Sequence, residues 1–296
     1  VGSLARGPVA GLGRGYAVGT PVSRGWEIIL SAPAFIATST VLSLEPSLIT
    51  KTSTVSNPEI FLGISKITFS IVFSSAIEII DNHQGNNNFE KALELTLSHY
   101  ESNKEDVEFL WRLARGYFDL ADQTSDKVIK KDNIDKGLPY AKLALDIDSS
   151  SAKANHWYAV MIGQKGILEG TKQKILNSYE VKKYCLKAID INPNYDGSLH
   201  VMGRWHYNVA DLSWLERTIA SAVYATPPKG SFNEAINYFK RAMDANPKDI
   251  RHYLRLGKSY HENGENNKAK EILSQAMTLD INSNSDQILK NEAKEL

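Results

Sequence analysis

The chain has 296 residues, of which 42% are hydrophobic and 23% are charged, the composition of an ordinary globular protein with ample apolar material for a core. Its 34 lysines and arginines balance 34 aspartates and glutamates, so we predict no general attraction to nucleic acid, and any basic binding site must be a local patch. Cys185 is the single cysteine, which excludes an intrachain disulfide and favours a reducing, intracellular location.

The beginning of the chain differs from the rest. Residues 1–26 contain three arginines, no acidic residue and many small residues, which is typical of a mitochondrial transit peptide or of a disordered glycine-rich tail. Residues 28–44 form an uncharged apolar run, slightly shorter than the roughly 20 residues of a spanning helix. We interpret this run either as a single membrane anchor or as a buried or interfacial segment.

The boundary of the folded region is predicted from composition. Residues 45–59 are rich in Ser, Thr and Pro and predict a linker. The apolar stretch from 60 to 80 contains one lysine and one glutamate, which favours a packed helix over a membrane span. We therefore predict a poorly structured targeting or anchor-like segment with its linker over 1–59, and a helical repeat domain over 60–296.

The last fifty residues carry one complete tetratricopeptide repeat, the 34-residue helix–turn–helix unit. We expect Gly257 and Ala269 to face each other where its two helices cross, because small side chains let two backbones approach closely. A unit of this kind performs no chemistry, so it predicts a binding scaffold. Its signature residues are Tyr253, Leu256, Gly257 and Tyr260 on the first helix, and Ala269, Leu273 and Ala276 on the second.

Three earlier helix pairs show the same pattern with irregular spacing. Alanines near the ends of successive second helices are separated by 44, 54 and 34 residues. Relative to a 34-residue unit, the two excesses are about 10 and about 20 residues. The larger excess predicts an insertion over 211–230, with a helix at 214–220 that stops before two prolines. Insertions in solenoids project from one face and often shape the binding site.

Motifs for catalysis or metal binding are not recognisable in the sequence. The seven histidines form no i, i+4 pair, and no nearby cysteine or carboxylate completes a metal-binding set, so no metal site is predicted. A phosphate loop, a nucleophile elbow and the kinase motifs are missing as well. Cys185 lies among apolar helix positions and is interpreted as a small core residue. We expect a protein without enzymatic activity and without a cofactor.

A cluster of lysines is the first candidate binding surface. Residues 170–189 hold five lysines against a single glutamate. This lysine patch would suit an acidic protein tail or a lipid head group, and the alternative is an ordinary solvated helix face. Its members are Lys172, Lys174, Lys182, Lys183 and Lys187.

The insertion is the second candidate surface. Arg204 and Arg217 flank it, and beside Trp205 and Trp214 they are predicted to bind carboxylate or phosphate through two parallel hydrogen bonds. The aromatic residues of this region are interpreted mainly as repeat core. The other interpretation is an apolar groove that holds a peptide or an acyl chain.

Four motifs carry a family resemblance. They are Leu-Trp-Arg-Leu-Ala-Arg at 110–115, His-Trp-Tyr-Ala at 156–159, His-Val-Met-Gly at 200–203, and the insertion over 214–228 that ends Ala-Thr-Pro-Pro. Ordinary tetratricopeptide repeats lack this combination. With these motifs, residues from about 81 to 280 resemble the regulator of microtubule dynamics family.

The resemblance implies an all-α, tetratricopeptide-like solenoid of antiparallel helix pairs with a helical insertion. It also implies a non-enzymatic, microtubule-associated protein linked to the mitotic spindle and, for some members, to mitochondria. One relative is anchored in the outer mitochondrial membrane, contacts an endoplasmic-reticulum partner and carries phospholipid with a similar domain.

Two functional hypotheses follow from the residues and the resemblance together. The first is a cytoplasmic adaptor whose lysine patch meets the acidic tails of tubulin, at the cytoskeleton or spindle, and whose repeat groove binds other proteins. The second is a phospholipid-binding module at a mitochondrial membrane contact, with a membrane anchor near the N-terminus. Neither hypothesis involves nucleic acid.

Overall fold

The computed structural model describes residues 75–223 and 229–296, and within these two ranges the regular structure is entirely helical. The predicted transit peptide, the apolar run 28–44, the linker and the boundary at residue 59 lie outside the described residues. None of the helices in the two ranges is both long and apolar enough to cross a membrane.

Twelve helices follow one another along the described part of the chain. Most begin at a residue whose side chain accepts a hydrogen bond from a backbone N–H of the first turn, as at Asp106, Ser151 and Asp249. The helices are α1 (75–85), α2 (Phe89–Tyr100), α3 (Val107–Asp122), α4 (Lys127–Ile147), α5 (Ala152–Glu169), α6 (Thr171–Ile191), α7 (Asp196–Ala210), α8 (Trp214–Val223), α9 (Phe232–Ala245), α10 (Ile250–Glu262), α11 (Asn266–Thr278) and α12 (Asn284–Glu295).

The helices are arranged as consecutive pairs. Helices α3 and α4, α5 and α6, α7 and α9, and α10 and α11 pack against each other, while α1 and α2 share a core cluster with the start of α3. Helix α12 covers the end of the stack by packing on α10 and α11. This arrangement confirms the predicted all-α, tetratricopeptide-like solenoid.

Small residues mark the helix crossings, as the repeat pattern predicts. A Cβ atom added to Gly203 of α7 would lie 2.7 Å from the ring of Phe239 in α9, and one added to Gly257 of α10 would lie 2.6 Å from Leu273. Leu273 is the side chain nearest to that added Cβ. Ala269, one helical turn closer to the connecting loop, lines the same surface depression as Gly257.

We expect the substitution Gly203→Ala to destabilise the protein by about 1–3 kcal/mol, because the added methyl group overlaps the Phe239 ring in a fully packed core. Denaturant unfolding followed by circular dichroism measures this loss. The matched control is Gly85→Ala in α1, where nothing lies within 4 Å of the added Cβ. The control should be neutral or stabilising, and equal losses in both variants would contradict the crossing argument.

The two excesses in repeat spacing have different structural forms. The larger one is the additional helix α8, which lies between the two helices of its pair and confirms the predicted helical insertion. The smaller one lengthens helices: α5 and α6 have 18 and 21 residues, whereas α10 and α11 have 13 each.

Candidate functional site

The first helices of the successive pairs turn one face toward each other. Asp119 of α3 interacts electrostatically with Arg251 of α10, three pairs further along the chain. Asp122 of α3 interacts in the same way with Arg204 of α7. Residues so far apart in the stack approach each other on the inner side of a curved solenoid. We call the surface formed by α3, α5, α7 and α10 the inner groove.

Two arginines of the inner groove, Arg204 and Arg255, form no ion pair with a described carboxylate. Arg204 is exposed to solvent yet enclosed by neighbouring helices, so desolvation, together with the nearby positive charge of Arg255, lowers its pKa to about 10. Within the described ranges, neither arginine has a carboxylate oxygen within 4.0 Å. By contrast, Arg251 is paired with Asp249 at 2.6 Å. The groove therefore contains two like charges that an anionic ligand would compensate.

A carboxyl group in the same groove has an unusual acidity. Burial raises the pKa of Asp119 to about 7, although the amide of Gln84 donates a hydrogen bond to its Oδ2 at 2.5 Å and Arg115 lies nearby. Asp122 on the same helix opposes its ionisation further, whereas Arg251 favours it. The positive charge of the inner groove should therefore increase as the pH falls through neutrality.

We expect the substitution Asp119→Asn to stabilise the protein at pH 8 by on the order of 1–2 kcal/mol, because asparagine removes a poorly solvated charge. The carboxyl group ionises near pH 3.8 in the unfolded chain and near pH 7 in the folded chain. The native protein therefore loses stability relative to the variant as the pH rises from about 4 to 7, and the difference is constant above pH 7.

Thermal midpoints measured from pH 4 to pH 8 check this expectation. The variant and the native protein should have equal midpoints near pH 4 and should diverge as the pH rises. Asp122→Asn is the control, since this neighbouring carboxylate is exposed. If the difference in thermal midpoint between Asp119→Asn and the native protein did not change with pH, the raised pKa of Asp119 would be contradicted.

The predicted lysine patch lies on α6, and the helical phase divides it. Lys172, Lys183 and Lys187 are separated by 11 and 4 residues and therefore share one stripe of the helix. Lys174 and Lys182 face neighbouring helices instead. The Lys174 ammonium donates to Glu216 Oε1 of α8 at 2.9 Å, and that of Lys182 lies 4.5 Å from the centre of a tryptophan ring of α7.

The stripe retains its positive charge. Lys172 and Lys183 are exposed and Lys187 is half-buried. None of the three has a carboxylate oxygen within 4.0 Å in the part of the chain that the structure describes. The stripe on α6 is therefore the part of the lysine patch that is available to a partner.

The residues predicted around the insertion do not form one site. Arg204 lies in the inner groove, whereas Arg217 donates to the backbone oxygens of Ala210 at 2.8 Å and Leu212 at 3.0 Å, where it holds the end of α7 against α8. Trp214 is 79% exposed on α8. The structure thus gives Arg217 a capping role and separates it from Arg204.

Two other residues of this region belong to the core. Trp205 is buried, and its Nε1 donates to the backbone oxygen of Ser178 at 2.8 Å. Cys185 is fully buried between α5, α6 and α7, and burial raises the pKa of its thiol. A buried, protonated thiol is a poor nucleophile, which agrees with the interpretation of Cys185 as a core residue.

Sequence spacing does not reveal one polar cluster that the fold assembles. Asp196, at the start of α7, and Asp249 and His252, at the start of α10, bring their side chains together. Both helices follow similar Asn-Pro turns, and an acidic residue comes within three positions of each proline. Neighbouring first helices of a solenoid begin side by side, so the repeated turn places the two acidic residues near each other. This repeated turn is the sequence signal from which the cluster could have been found.

Comparison with known proteins agrees with this architecture. Residues 76–296 match the family model described as "Regulator of microtubule dynamics protein 1-3". The chain belongs to the regulator of microtubule dynamics family. The match begins at the second residue of the described part of α1 and extends to the last residue, so it includes the inner groove, the lysine patch and the insertion.

Individual members of the family are similar over the same region. The chain is 39% identical over 209 residues to "Regulator of microtubule dynamics protein 1" of Bos taurus, an alignment that covers 70% of this chain and 65% of that protein. It is 33% identical over 218 residues to protein 3 of Rattus norvegicus, covering 72% of this chain and 46% of the relative. The match thus spans about two thirds of protein 1 and less than half of protein 3.

A solved structure supports the fold alone. The crystal structure of a thermophilic tetratricopeptide repeat protein of Thermus thermophilus superposes with a TM-score of 0.57 at 13% identity, over 75% of this chain and 99% of that one. The family and the fold together are those of a helical repeat protein.

Proposed function

We propose that this protein is a microtubule-associated adaptor, which contacts the acidic tails of tubulin through the stripe Lys172, Lys183 and Lys187. The observation that carries the proposal is the positive charge of this stripe, since no carboxylate oxygen of the described residues lies within 4.0 Å of its three lysines. Relatives named for the regulation of microtubule dynamics supply the choice of partner. Contacts of this kind are electrostatic, so binding should weaken as the salt concentration rises.

An adaptor needs a second surface, and we assign this role to the inner groove. Arg204 and Arg255 lie on adjacent first helices without a carboxylate partner among the described residues. Guanidinium groups bind carboxylates through two parallel hydrogen bonds, which suits an acidic segment of another protein. The two surfaces would let one chain link a microtubule to a second protein.

The triple substitution Lys172→Glu, Lys183→Glu and Lys187→Glu should lower microtubule affinity at least about tenfold, since it reverses three charges at the proposed contact. Co-sedimentation with microtubules measures the affinity. Microtubules whose acidic tails have been removed by limited proteolysis should bind the native protein as weakly as they bind the variant.

The matched control reverses three exposed lysines that lie outside α6: Lys240, Lys248 and Lys270. It changes the net charge of the chain by the same amount. Affinity that falls equally in both triple variants would reduce the contact to non-specific charge attraction. Unchanged binding by the α6 variant would remove the stripe from the proposal.

The alternative function is a phospholipid-binding module at a mitochondrial contact. Of the two best-formed cavities among the described residues, one of about 410 Å³ is lined partly by Asp135, Lys142 and Lys165, and the other, of about 250 Å³, partly by Lys258 and Lys270. Each lining combines these charged groups with apolar side chains, such as Leu138 and Tyr158 in the first and Leu273 in the second, so neither lining decides between a polar ligand and an acyl chain. Phospholipid that remains bound to the purified chain in native mass spectrometry would favour this alternative.

The proposed location is the cytoplasm, at the cytoskeleton or spindle, with the outer mitochondrial membrane as the location that the alternative requires. Imaging a tagged full-length protein beside one that lacks residues 1–45 separates the two. A mitochondrial signal that depends on those residues would support a targeting or anchoring segment there.

A further inference from the structure

The polar cluster at the start of α7 and α10 has the composition of a metal site. One carboxylate oxygen each from Asp196 and Asp249 and one ring nitrogen from His252 lie within 4.8 Å of one another. The Nε2 atom of His252 is 3.5 Å from Asp196 Oδ2 and 3.6 Å from Asp249 Oδ2. All three side chains therefore point to a common centre.

The histidine of this cluster is buried without a hydrogen bond on the side that faces the carboxylates. The His252 side chain is 0% exposed, and its Nε2 has no hydrogen-bond partner within the described residues. A buried polar atom without a hydrogen bond lowers the stability of the folded protein. A histidine nitrogen that faces two carboxylates is also a more specific arrangement than a group of acidic residues alone.

We propose that Asp196, Asp249 and His252 bind one divalent metal ion of the zinc class. With metal–ligand bonds of about 2.0–2.2 Å, the ligands of a tetrahedral ion lie about 3.3–3.6 Å apart. The two distances from His252 Nε2 fall in or at the edge of that range. Two carboxylate oxygens and one imidazole nitrogen suit zinc, and water would take the fourth position.

The surrounding residues orient each ligand as they do in metal sites. The Nδ1 atoms of His252 and His200 are 2.9 Å apart, so His252 can donate its Nδ1–H to His200 and keep the Nε2 lone pair free for the ion. Asn246 donates to Asp196 Oδ2 at 2.9 Å. Arg251 donates to both oxygens of Asp249. Every ligand is thus held by an outer hydrogen bond.

Charge and access agree with a divalent ion. Arg251 neutralises one of the two carboxylates, which leaves one uncompensated negative charge to attract the cation. The Asp196 side chain is 27% exposed and Asp249 is 11% exposed, so solvent reaches the cluster from the carboxylate side. A bound ion would join the fourth and fifth helix pairs directly beside the inner groove and would fix their relative position.

The test uses the full chain without an affinity tag that binds metal, after treatment with a chelator and its removal. Isothermal titration with Zn²⁺ should give one ion per chain, and Zn²⁺ should raise the thermal midpoint. Co²⁺ should produce the intense visible absorption of a tetrahedral site with a nitrogen ligand. Each of the substitutions Asp196→Asn and His252→Gln should weaken Zn²⁺ binding at least tenfold.

The control is His261→Gln, an exposed histidine at the other end of α10, which should bind Zn²⁺ as the native chain does. The proposal is overturned if the native chain takes up no stoichiometric Zn²⁺, or if the His261→Gln chain loses the same affinity. Undiminished binding by Asp196→Asn also overturns it. Because Asp196 is partly exposed, we expect Asp196→Asn to fold, so this variant decides the test if His252→Gln fails to fold. None of these outcomes bears on microtubule binding, so the two proposals fail separately.

Discussion

Replacement of Asp81 by alanine is expected to lower the free energy of unfolding by about 3 kcal/mol, because it leaves a buried guanidinium group with too little compensation. The side chain of Arg112 is only 3% exposed, and its Nη2 and Nε donate to the two oxygens of Asp81 at 2.6 and 3.0 Å. Burial alone would lower the pKa of Arg112, but the hydrogen bonds that it donates to Asp81 and Glu108 raise it. Removing Asp81 leaves Glu108, at 2.7 Å, as the remaining carboxylate partner of Arg112 among the described residues.

Denaturant unfolding separates this effect from general loss of packing when it is measured on four variants: Asp81→Ala, Arg112→Met, their combination and Glu94→Ala. The double variant Asp81→Ala with Arg112→Met should recover part of the lost stability, because it removes the buried charge together with its partner. Glu94→Ala, which breaks an exposed pair with Lys91, should change stability by less than about 1 kcal/mol. A double variant as unstable as the sum of its single substitutions would contradict the interpretation.

The same ion pair explains one of the motifs that carry the family resemblance. Arg112 and Arg115 are the two arginines of the motif at 110–115, and both donate to Asp81 of α1. The motif therefore encodes the attachment of the first described helix to α3 rather than a binding surface. The family match begins at residue 76, so it includes the carboxylate that these arginines need.

The helix pairs could be predicted because their signal is local. Small residues at crossings and prolines after second helices recur within one repeat, and packing at each crossing follows directly from them, as at Gly203 against Phe239. Helix α8 was predictable as a departure from the period. The spacing does not identify Leu273 as the side chain nearest to Gly257, because the angle at which two helices cross is not encoded in it.

The inner groove could not be predicted in the same way, because it is made by residues from different repeats. Arg204 was selected for its place beside the insertion, whereas its significance comes from Arg255 on the next first helix and from Asp122 two pairs earlier. Likewise the sequence predicts anion binding by Arg217 and does not reveal that two of its donors contact the carbonyl groups at the end of α7. The curvature of the solenoid determines which charged side chains from different repeats lie close together.

The unpaired arginines lead to the second large effect, a loss of binding that accompanies a gain of stability. Arg204→Glu should stabilise the protein by about 1 kcal/mol, because it replaces repulsion between Arg204 and Arg255 by attraction within a partly enclosed groove. The same substitution should weaken the binding of an acidic peptide at least about thirtyfold, since it places a carboxylate where the peptide's own carboxylates would bind.

Two measurements on the same variants check both parts of this prediction. Thermal unfolding at pH 8 gives the stability, and fluorescence anisotropy with a labelled hexaglutamate peptide gives the affinity. Arg241→Glu, on α9, is the control, because this arginine contacts a carbonyl oxygen outside the groove at 3.3 Å. It should leave peptide affinity unchanged. If Arg204→Glu lost stability, or bound the peptide as tightly as the native chain, the groove would have to be regarded as a structural surface. A stabilised variant that no longer binds is the outcome expected of a site in which like charges are kept close together for a ligand.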